Sequence, residues 1–308
     1  MLRSMTSGAT EHRLRRFLGV SCSSRKRFIA VFCSSRKRLI AVFCSSRKGP
    51  IAAAIALALI VEFVTAAAIL SRPSTTPATA GVTHTMRLVD RGAPVGLSAR
   101  ITSEIPGAVD AVTSFWGDDW PREVVIVTTG TDADFAALTG QPARDWTGVA
   151  AVAVADRVDL EKREAFGQRI VFAPGANAMS ATALRIVLRH ELFHYAARAD
   201  TAFDAPRWLV EAVADYVGRP ATRPPAAVEA RLPSDAELDA GGTKESAAYD
   251  RAWWFARFIA DQYGPSALRR LYVEACGPGH RDPSTAVRAV LSVDMNDLLT
   301  RWKRWLAG

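Results

Sequence analysis

The most constraining feature of this chain is an H-E-x-x-H pattern, formed by His190, Glu191 and His194 within a long apolar segment. Apolar side chains occur around most of the circumference that residues 181–197 would have as a helix, which predicts a buried helix. Residues four apart project from the same side of a helix, so both imidazoles can reach one point. Burying two imidazoles and a carboxylate without partners is costly. The fold must therefore supply partners for them.

A metal ion would satisfy these side chains, so His190 and His194 are candidate ligands of one zinc ion per chain. Glu191 follows a ligand directly without being forced to bind the ion, so it can hold a water molecule and take its proton. The alternative leaves the histidines bonded to backbone carbonyls and Glu191 paired with an arginine. With only 5 histidines in the chain, a chance occurrence of the pattern is rare, which favours the metal site.

Glu211 is the candidate third ligand, because it lies in a second apolar segment seventeen residues after His194. Pro206 suits the first turn of a helix that runs to about Val217. Asp215 lies one turn beyond Glu211 on the same face and can accept a hydrogen bond from the outer nitrogen of a ligating histidine. The alternative interpretation places both acids on a helix surface.

Two segments of the chain resemble the gluzincin zinc metallopeptidases of clan MA, in particular the bacterial peptidase MA-like domains. They are residues 190–194, HELFH, and residues 206–216, PRWLVEAVADY. The usual W-L-x-E-G-x-A of that family is W-L-V-E-A-V-A here, with Ala212 in place of a common glycine. The resemblance extends over residues 82–308. It implies a zincin-like domain that hydrolyses peptides on one zinc ion, with Glu191 as the general base.

A third matching segment begins at Tyr249 and is similar to a Tyr-initiated helix of the same family. Tyr249 is therefore a candidate catalytic donor to the oxyanion that forms during peptide hydrolysis. The alternative is a packing role beside Trp253 and Trp254. His280 is a rival oxyanion donor, with an exposed loop position as its alternative. The resemblance also implies that an edge strand at residues 169–173 pairs with an extended substrate.

The predicted function is a zinc-dependent peptide hydrolase that acts on a peptide or protein substrate. One alternative is a catalytically inactive, membrane-anchored binding or sensor domain with the same fold. A zinc hydrolase that acts on other substrates is a further alternative. The presence of Glu191 favours the peptidase, because a zinc site that does no chemistry needs no base.

An apolar run at residues 51–70, with Glu62 as its only charge, predicts a membrane-spanning helix. Twenty helical residues rise about 30 Å, the thickness of a bilayer core. The basic segment of residues 1–50 precedes this run, so we expect a cytoplasmic N-terminus and a single-pass protein of the cell membrane. The domain of residues 82–308 then lies outside the cytoplasm.

A cleaved export signal is the alternative to an anchor. Residues 71–81 form a Ser/Thr/Pro-rich linker, and Ala80 closes a small-x-small signal at which cleavage would release a secreted domain.

The positive charge of the chain comes from residues 1–50. The formal net charge is +8, but residues 51–308 hold 27 basic and 30 acidic residues. A nucleic-acid partner is therefore not expected, since phosphate binding requires clustered bases on the folded surface. An 11-residue repeat within residues 22–43, with a third copy beginning at Cys44, is too short for a solenoid unit and indicates a duplicated basic segment. Cys276 is the only cysteine beyond the repeats, which excludes an internal disulfide framework.

The patterns within residues 82–308 predict an α+β fold, with a small mixed sheet followed by a mostly helical half. Alternating or β-branched segments predict strands at 85–90, 123–128, 149–155 and 169–173. Helical spacing predicts helices at 97–112, kinked or divided at Pro106, and at 131–137. Helices are also predicted from the N-cap Ser180 to about Arg198 and at 206–217, 245–263, 265–275 and 284–306. Residues 219–240 are predicted to be a loop with short helical pieces.

Overall fold

The computed structural model describes residues 83–140, 146, 148–225 and 228–308. The predicted basic segment, membrane helix and linker, at residues 1–50, 51–70 and 71–81, lie outside the described residues. Among the residues that are described, no helix combines the length and apolar character needed to cross a membrane.

The first half of the described chain builds a mixed four-stranded sheet and a separate hairpin. Its elements are β1 (Thr85–Arg91), α1 (Leu97–Trp116), β2 (Glu123–Thr129), α2 (Asp132–Leu138), β3 (Ala151–Val154), β4 (Arg157–Asp159), β5 (Glu164–Phe166) and β6 (Arg169–Phe172). The strand order is β1-β2-β6-β3, in which β1, β2 and β6 run parallel and β3 pairs antiparallel with β6. Strands β4 and β5 form the hairpin.

The second half is helical. Its α-helices are α3 (Ala181–Ala197), α4 (Arg207–Gly218), α5 (Asp235–Leu238), α6 (Gly242–Tyr263), α7 (Pro265–Cys276), α8 (Pro283–Leu291) and α9 (Met295–Leu306). Short 3-10 turns precede and follow α3, at Pro174–Ala178 and Arg198–Asp200. Helix α3 packs against α1, α4 and β3, so it lies between the sheet and the later helices.

An aromatic cluster packs α3 against α1 and α7. Phe193 meets Trp116 and Tyr272 edge-on, with ring centroids 5.6 and 5.4 Å apart. All three side chains are buried, and such edge-on pairs contribute about 0.5–1.5 kcal/mol beyond the area that they bury. Because Phe193 precedes His194, this packing also sets the side of α3 from which the imidazoles project.

The predicted α+β class is confirmed, and the four strands of the mixed sheet and most helices lie where the sequence patterns put them, but the hairpin of β4 and β5 was not predicted. The helix predicted at 284–306 is wrong, because Ser292 adopts a left-handed φ of 56° and separates α8 from α9. A kink or a division was expected at Pro106, and the division does not occur. Helix α1 runs unbroken, with Ile101 and Ala108 buried on either side of the proline.

The edge-strand expectation for residues 169–173 is wrong. These residues form β6, which lies between β2 and β3. The outermost, antiparallel strand is β3, which precedes β6 in the chain and returns alongside it. A strand pattern reports burial and period but not lateral order in the sheet, so the sequence could not distinguish the two.

Candidate metal centre

Helix α3 presents both histidines on the side that faces α4. It begins at the predicted N-cap, where the Ser180 hydroxyl accepts a hydrogen bond from the amide of Ala183 at 3.2 Å. The imidazoles are largely enclosed, with 16% of the His190 side chain and 13% of the His194 side chain exposed. A small opening to solvent therefore remains at the imidazoles.

Glu211 of α4 lies opposite the two histidines and completes a triangle of donor atoms. The Nε2 atoms of His190 and His194 are 3.0 Å apart. Glu211 Oε2 is 3.3 Å from the first and 3.7 Å from the second. The structure therefore brings together the three residues that the sequence predicts as ligands, and within the described chain no other histidine, cysteine or acid joins this group.

The spacing of these atoms fits a tetrahedral ion. Donors about 2.0–2.1 Å from a zinc ion at tetrahedral angles lie roughly 3.4 Å from one another. The observed separations of 3.0, 3.3 and 3.7 Å surround that value. Two imidazoles and one carboxylate are also a donor set that zinc accepts in catalytic sites, where a fourth position stays open.

A close approach between α3 and α4 at Gly218 produces this geometry. A β-carbon at Gly218 would lie 2.9 Å from the carbonyl oxygen of Ile186 and 3.5 Å from the β-carbon of His190. Any other residue would press on the backbone of α3. Glycine therefore allows the last turn of α4 to approach α3 at Ile186 and His190.

Asp215 occupies the position predicted for it, behind His190. Its Oδ1 atom is 3.0 Å from His190 Nδ1, and the opposite ring nitrogen faces the ligand group. Burial acts to lower the pKa of His190, but the hydrogen bonds to Asp215 and Glu211 outweigh it and hold that pKa well above its usual value. An ion bound at Nε2 would displace the proton, while Asp215 keeps the ring oriented.

Electrostatics also favour an ionised Glu211. Burial acts to raise its pKa, but the charge of His194 and hydrogen bonds from both histidines outweigh it and lower the pKa well below the usual value. Glu211 therefore presents a carboxylate to the ligand group near neutral pH.

Glu191 lies on the sheet side of α3, outside the ligand triangle. Its Oε2 atom accepts a hydrogen bond of 2.8 Å from the amide of Ala153 in the edge strand β3. Burial raises the pKa of its carboxyl above the usual value, which strengthens the carboxylate as a base. This placement is the one expected of a general base beside a metal.

Arg198 binds the carbonyl group of Ala153, the residue whose amide binds Glu191. Its Nη2 atom donates to the carbonyl of Ala153 at 2.7 Å. Burial lowers the pKa of Arg198, and the nearby charges of Glu191 and Glu211 oppose that change. Glu191 and Arg198 thus both bind Ala153, at the edge of β3 that points away from β6.

Tyr249 lies in α6 near Glu211. Burial and the charge of Glu211 raise the pKa of its hydroxyl, and a hydrogen bond with Arg207 opposes the rise. The phenol therefore stays protonated and can donate a hydrogen bond. The neighbouring Trp253 and Trp254 pack on each other with centroids 4.2 Å apart.

His280 lies in the loop between α7 and α8 and is not part of the ligand group. Its ring nitrogens lie 3.3 Å from Asp204 Oδ1 and 3.1 Å from the carbonyl of Arg281.

Sequence patterns did not predict the roles of Arg198 and Arg219. Arg219 forms an ion pair with Asp215 and another with Asp250, each at 2.7 Å. The spacing of four residues from Asp215 to Arg219 was a usable signal for the first pair. The contact of Arg198 with Ala153 joins residues 45 apart and had no local signal.

No family model and no curated protein matches the sequence. The gluzincin resemblance therefore depends on the residues of α3 and α4.

Proposed function

We propose that this chain is a zinc-dependent peptide hydrolase, a metallopeptidase of the gluzincin type with a zincin-like domain. The observation that carries the proposal is the triangle of His190, His194 and Glu211 donor atoms, with separations of 3.0–3.7 Å. Glu191 lies beside this triangle without joining it. Three ligands and an adjacent base are what metal-assisted hydrolysis requires.

His190, His194 and Glu211 would hold one zinc ion. When bound there, zinc lowers the pKa of a water molecule and polarises a carbonyl group. Proton transfer, substrate binding and stabilisation of the oxyanion are assigned to residues of this protein.

Glu191 accepts a proton from the attacking water and then delivers it to the leaving amine. The amide of Ala153 fixes one oxygen of its carboxylate at 2.8 Å, so the second oxygen is available for the water. Burial raises the pKa of Glu191 and thereby moves it towards the value at which one group can both accept and return a proton.

The edge strand β3 is the group that we propose for substrate binding, in place of residues 169–173. In an antiparallel edge strand, the amides and carbonyls of alternate residues point away from the sheet. The bond from the Ala173 amide to the Ala150 carbonyl sets this alternation, so the amides and carbonyls of Ala151 and Ala153 point away from β6. Those of Ala153 bond to Glu191 and Arg198, so an extended peptide would pair with this edge at Ala151.

Tyr249 is the proposed donor to the oxyanion of the tetrahedral intermediate. Its hydroxyl remains protonated, because burial and Glu211 raise its pKa. It lies in α6, which packs against α4, the helix that carries Glu211. A hydrogen-bond donor there would complement the base on the sheet side of α3.

The location of the domain also belongs to the proposal. A helix at residues 51–70 would tether the chain to the cell membrane, with its basic N-terminus in the cytoplasm and the peptidase domain outside. The substrate is then an extracytoplasmic peptide or protein.

Metal content and hydrolysis of the full 308-residue chain, purified in mild detergent, test the proposal. We expect one zinc per chain and cleavage of a mixed quenched-fluorescence peptide library, lost with a chelator and restored by zinc. The variants His190→Ala and His194→Ala should lose zinc and activity together. Absence of stoichiometric zinc after zinc-replete purification would refute the proposal. Bound zinc without cleavage of peptides or denatured proteins would favour a binding or sensor domain.

A further inference from the structure

We propose that Arg219 is a positioning residue for the metal centre, and that it raises zinc affinity by fixing the carboxylate that orients His190. The inference rests on the proposed function in one respect, since it requires His190 to be a metal ligand. It assigns a role to a residue that touches neither the ligand group nor the reacting atoms.

The geometry forms one continuous chain of contacts. His190 Nδ1 lies 3.0 Å from Asp215 Oδ1. The other carboxylate oxygen, Oδ2, lies 2.7 Å from Arg219 Nη2. Arg219 Nη1 then donates to Asp250 Oδ1 at 2.7 Å. Both oxygens of Asp215 are thus occupied, one by the ligand and one by the arginine.

Arg219 is itself held firmly. Its side chain is only 7% exposed, and that of Asp215 only 4%. The guanidinium carbon lies 4.9 Å from the ring centroid of Trp253 in α6, within the range of a cation–π contact. The Arg219 amide donates to the Asp215 carbonyl at 2.9 Å. The guanidinium thus has a carboxylate on two sides and a ring on a third.

The planar guanidinium of arginine suits this arrangement better than the ammonium of lysine. A guanidinium carries several N–H groups in a rigid plane and can bind two carboxylates at once, whereas the lysine ammonium is a flexible point charge. Asp250 belongs to α6 and Asp215 to α4, so Arg219 also joins the two helices behind the ligand. If Arg219 were removed, Asp215 Oδ2 would lose its charged partner and the carboxylate could rotate away from His190.

Arg257 provides a matched comparison on α6. It too pairs with a carboxylate, Asp261 at 3.0 Å, and faces an aromatic ring, Tyr216 at 5.5 Å. Its side chain is 18% exposed, and neither partner is a ligand or the carboxylate that orients one. Arg257→Gln therefore controls for the loss of an arginine that pairs with a carboxylate beside a ring, and Arg219→Lys keeps the charge that Arg219→Gln removes. An effect transmitted to His190 should be confined to the Arg219 variants.

The experiment measures zinc affinity of the full-length protein by competition with a chelator, without reference to activity. The variants are Arg219→Gln, Arg219→Lys and Asp250→Asn, with Arg257→Gln as the control. Loss of a partner outside the ligand set typically weakens metal binding by about 10- to 100-fold, and we expect this loss for both Arg219 variants. Asp250→Asn should lose less, because Asp215 keeps its arginine, and Arg257→Gln should match wild type.

Cobalt absorption provides a second readout. Replacing zinc with Co²⁺ reports ligand geometry, so Arg219→Gln should change the visible spectrum while Arg257→Gln should not. Zinc affinity and a cobalt spectrum unchanged in both Arg219 variants would overturn this inference while leaving the metallopeptidase proposal intact. If Arg219→Gln does not fold, wild-type values for Arg219→Lys and Asp250→Asn would overturn it equally. If the wild-type protein binds no zinc, the proposed metallopeptidase function is refuted, and the role of Arg219 is refuted with it.

Discussion

The two sides of helix α3 meet different kinds of partner. On the sheet side, Glu191 and Arg198 bind backbone atoms of one residue, Ala153, in an edge strand. On the helix side, His190 binds a buried chain of charged side chains that begins at Asp215 and continues through Arg219. Backbone groups at a sheet edge can exchange partners with an incoming strand, but buried ion pairs cannot be exchanged without cost.

Under the proposed function, the two sides have separate tasks. The sheet side contains the proposed base and the edge at which a peptide would bind. The helix side would fix the proposed ligands, and there Asp215 meets the outer nitrogen of His190. Substitutions on the sheet side should therefore change turnover more than metal content, while substitutions on the helix side should change metal affinity first.

The largest expected effect is at Glu191. Glu191→Gln keeps the shape and can still accept the Ala153 amide, but it cannot take a proton at neutral pH. Turnover should fall about 100- to 10,000-fold, with zinc content and thermal stability near wild type. Glu211→Gln, the matched change on the helix side, should lower zinc affinity and turnover together.

Parallel zinc analysis and peptide hydrolysis of these two variants test the assignment. Loss of zinc from Glu191→Gln with retention by Glu211→Gln would mean that the base and the ligand are exchanged. Full activity of Glu191→Gln would exclude the proposed mechanism.

Tyr249 is a possible exception to this division of tasks. It lies in α6, on the helix side, yet it is proposed to donate to the oxyanion. If it stabilises the oxyanion, Tyr249→Phe should lower kcat about 100- to 1,000-fold with little change in KM or zinc affinity. The measurement is steady-state kinetics with parallel zinc titration. A kcat within twofold of wild type would restrict Tyr249 to packing beside Trp253 and restore a strict division between the two sides.

Local sequence patterns located the proposed ligands and Asp215 on the helix side, but they predicted neither Arg219 nor the contacts of the sheet side. His190, His194, Glu211 and Asp215 follow from helical spacing within two apolar helices, because an i, i+4 relation fixes which side chains share a face. The contact between Glu191 and Ala153 depends on which strand ends the sheet. That order is set by long-range pairing, and the pattern of residues 169–173 suggested the wrong strand.

Gly218 tests how strictly the helix side sets the ligands. In Gly218→Ala, the new β-carbon would lie 2.9 Å from the carbonyl of Ile186, so α4 must move away from α3. We expect a loss of about 1–3 kcal/mol in stability, together with weaker zinc binding. Denaturant melts of metal-free protein and zinc titration measure the two effects.

Gly175→Ala is the matched control for Gly218, because a β-carbon there meets no atom within 4 Å. It should leave both stability and zinc affinity near wild type. If Gly218→Ala behaved like this control, the close approach of α3 and α4 would not be what fixes the ligand spacing.

The smallest predicted effect is on kcat when the amide of Ala153 is removed. It tests whether this amide orients the proposed base, Glu191. Proline is tolerated at an edge strand where the amide points away from the sheet, so Ala153→Pro can keep the strand while it removes one donor. Glu191 then loses the hydrogen bond that fixes its Oε2 atom, and the proline ring displaces the carboxylate from that position. We expect kcat to fall at least tenfold, equivalent to ~1.4 kcal/mol or more, with zinc affinity unchanged. Ala151→Pro alters the same edge at an amide that Glu191 does not accept, so it should raise KM through weaker substrate pairing and leave kcat intact. Equal kcat losses in both variants would mean that the edge acts through general strand distortion and does not orient the base.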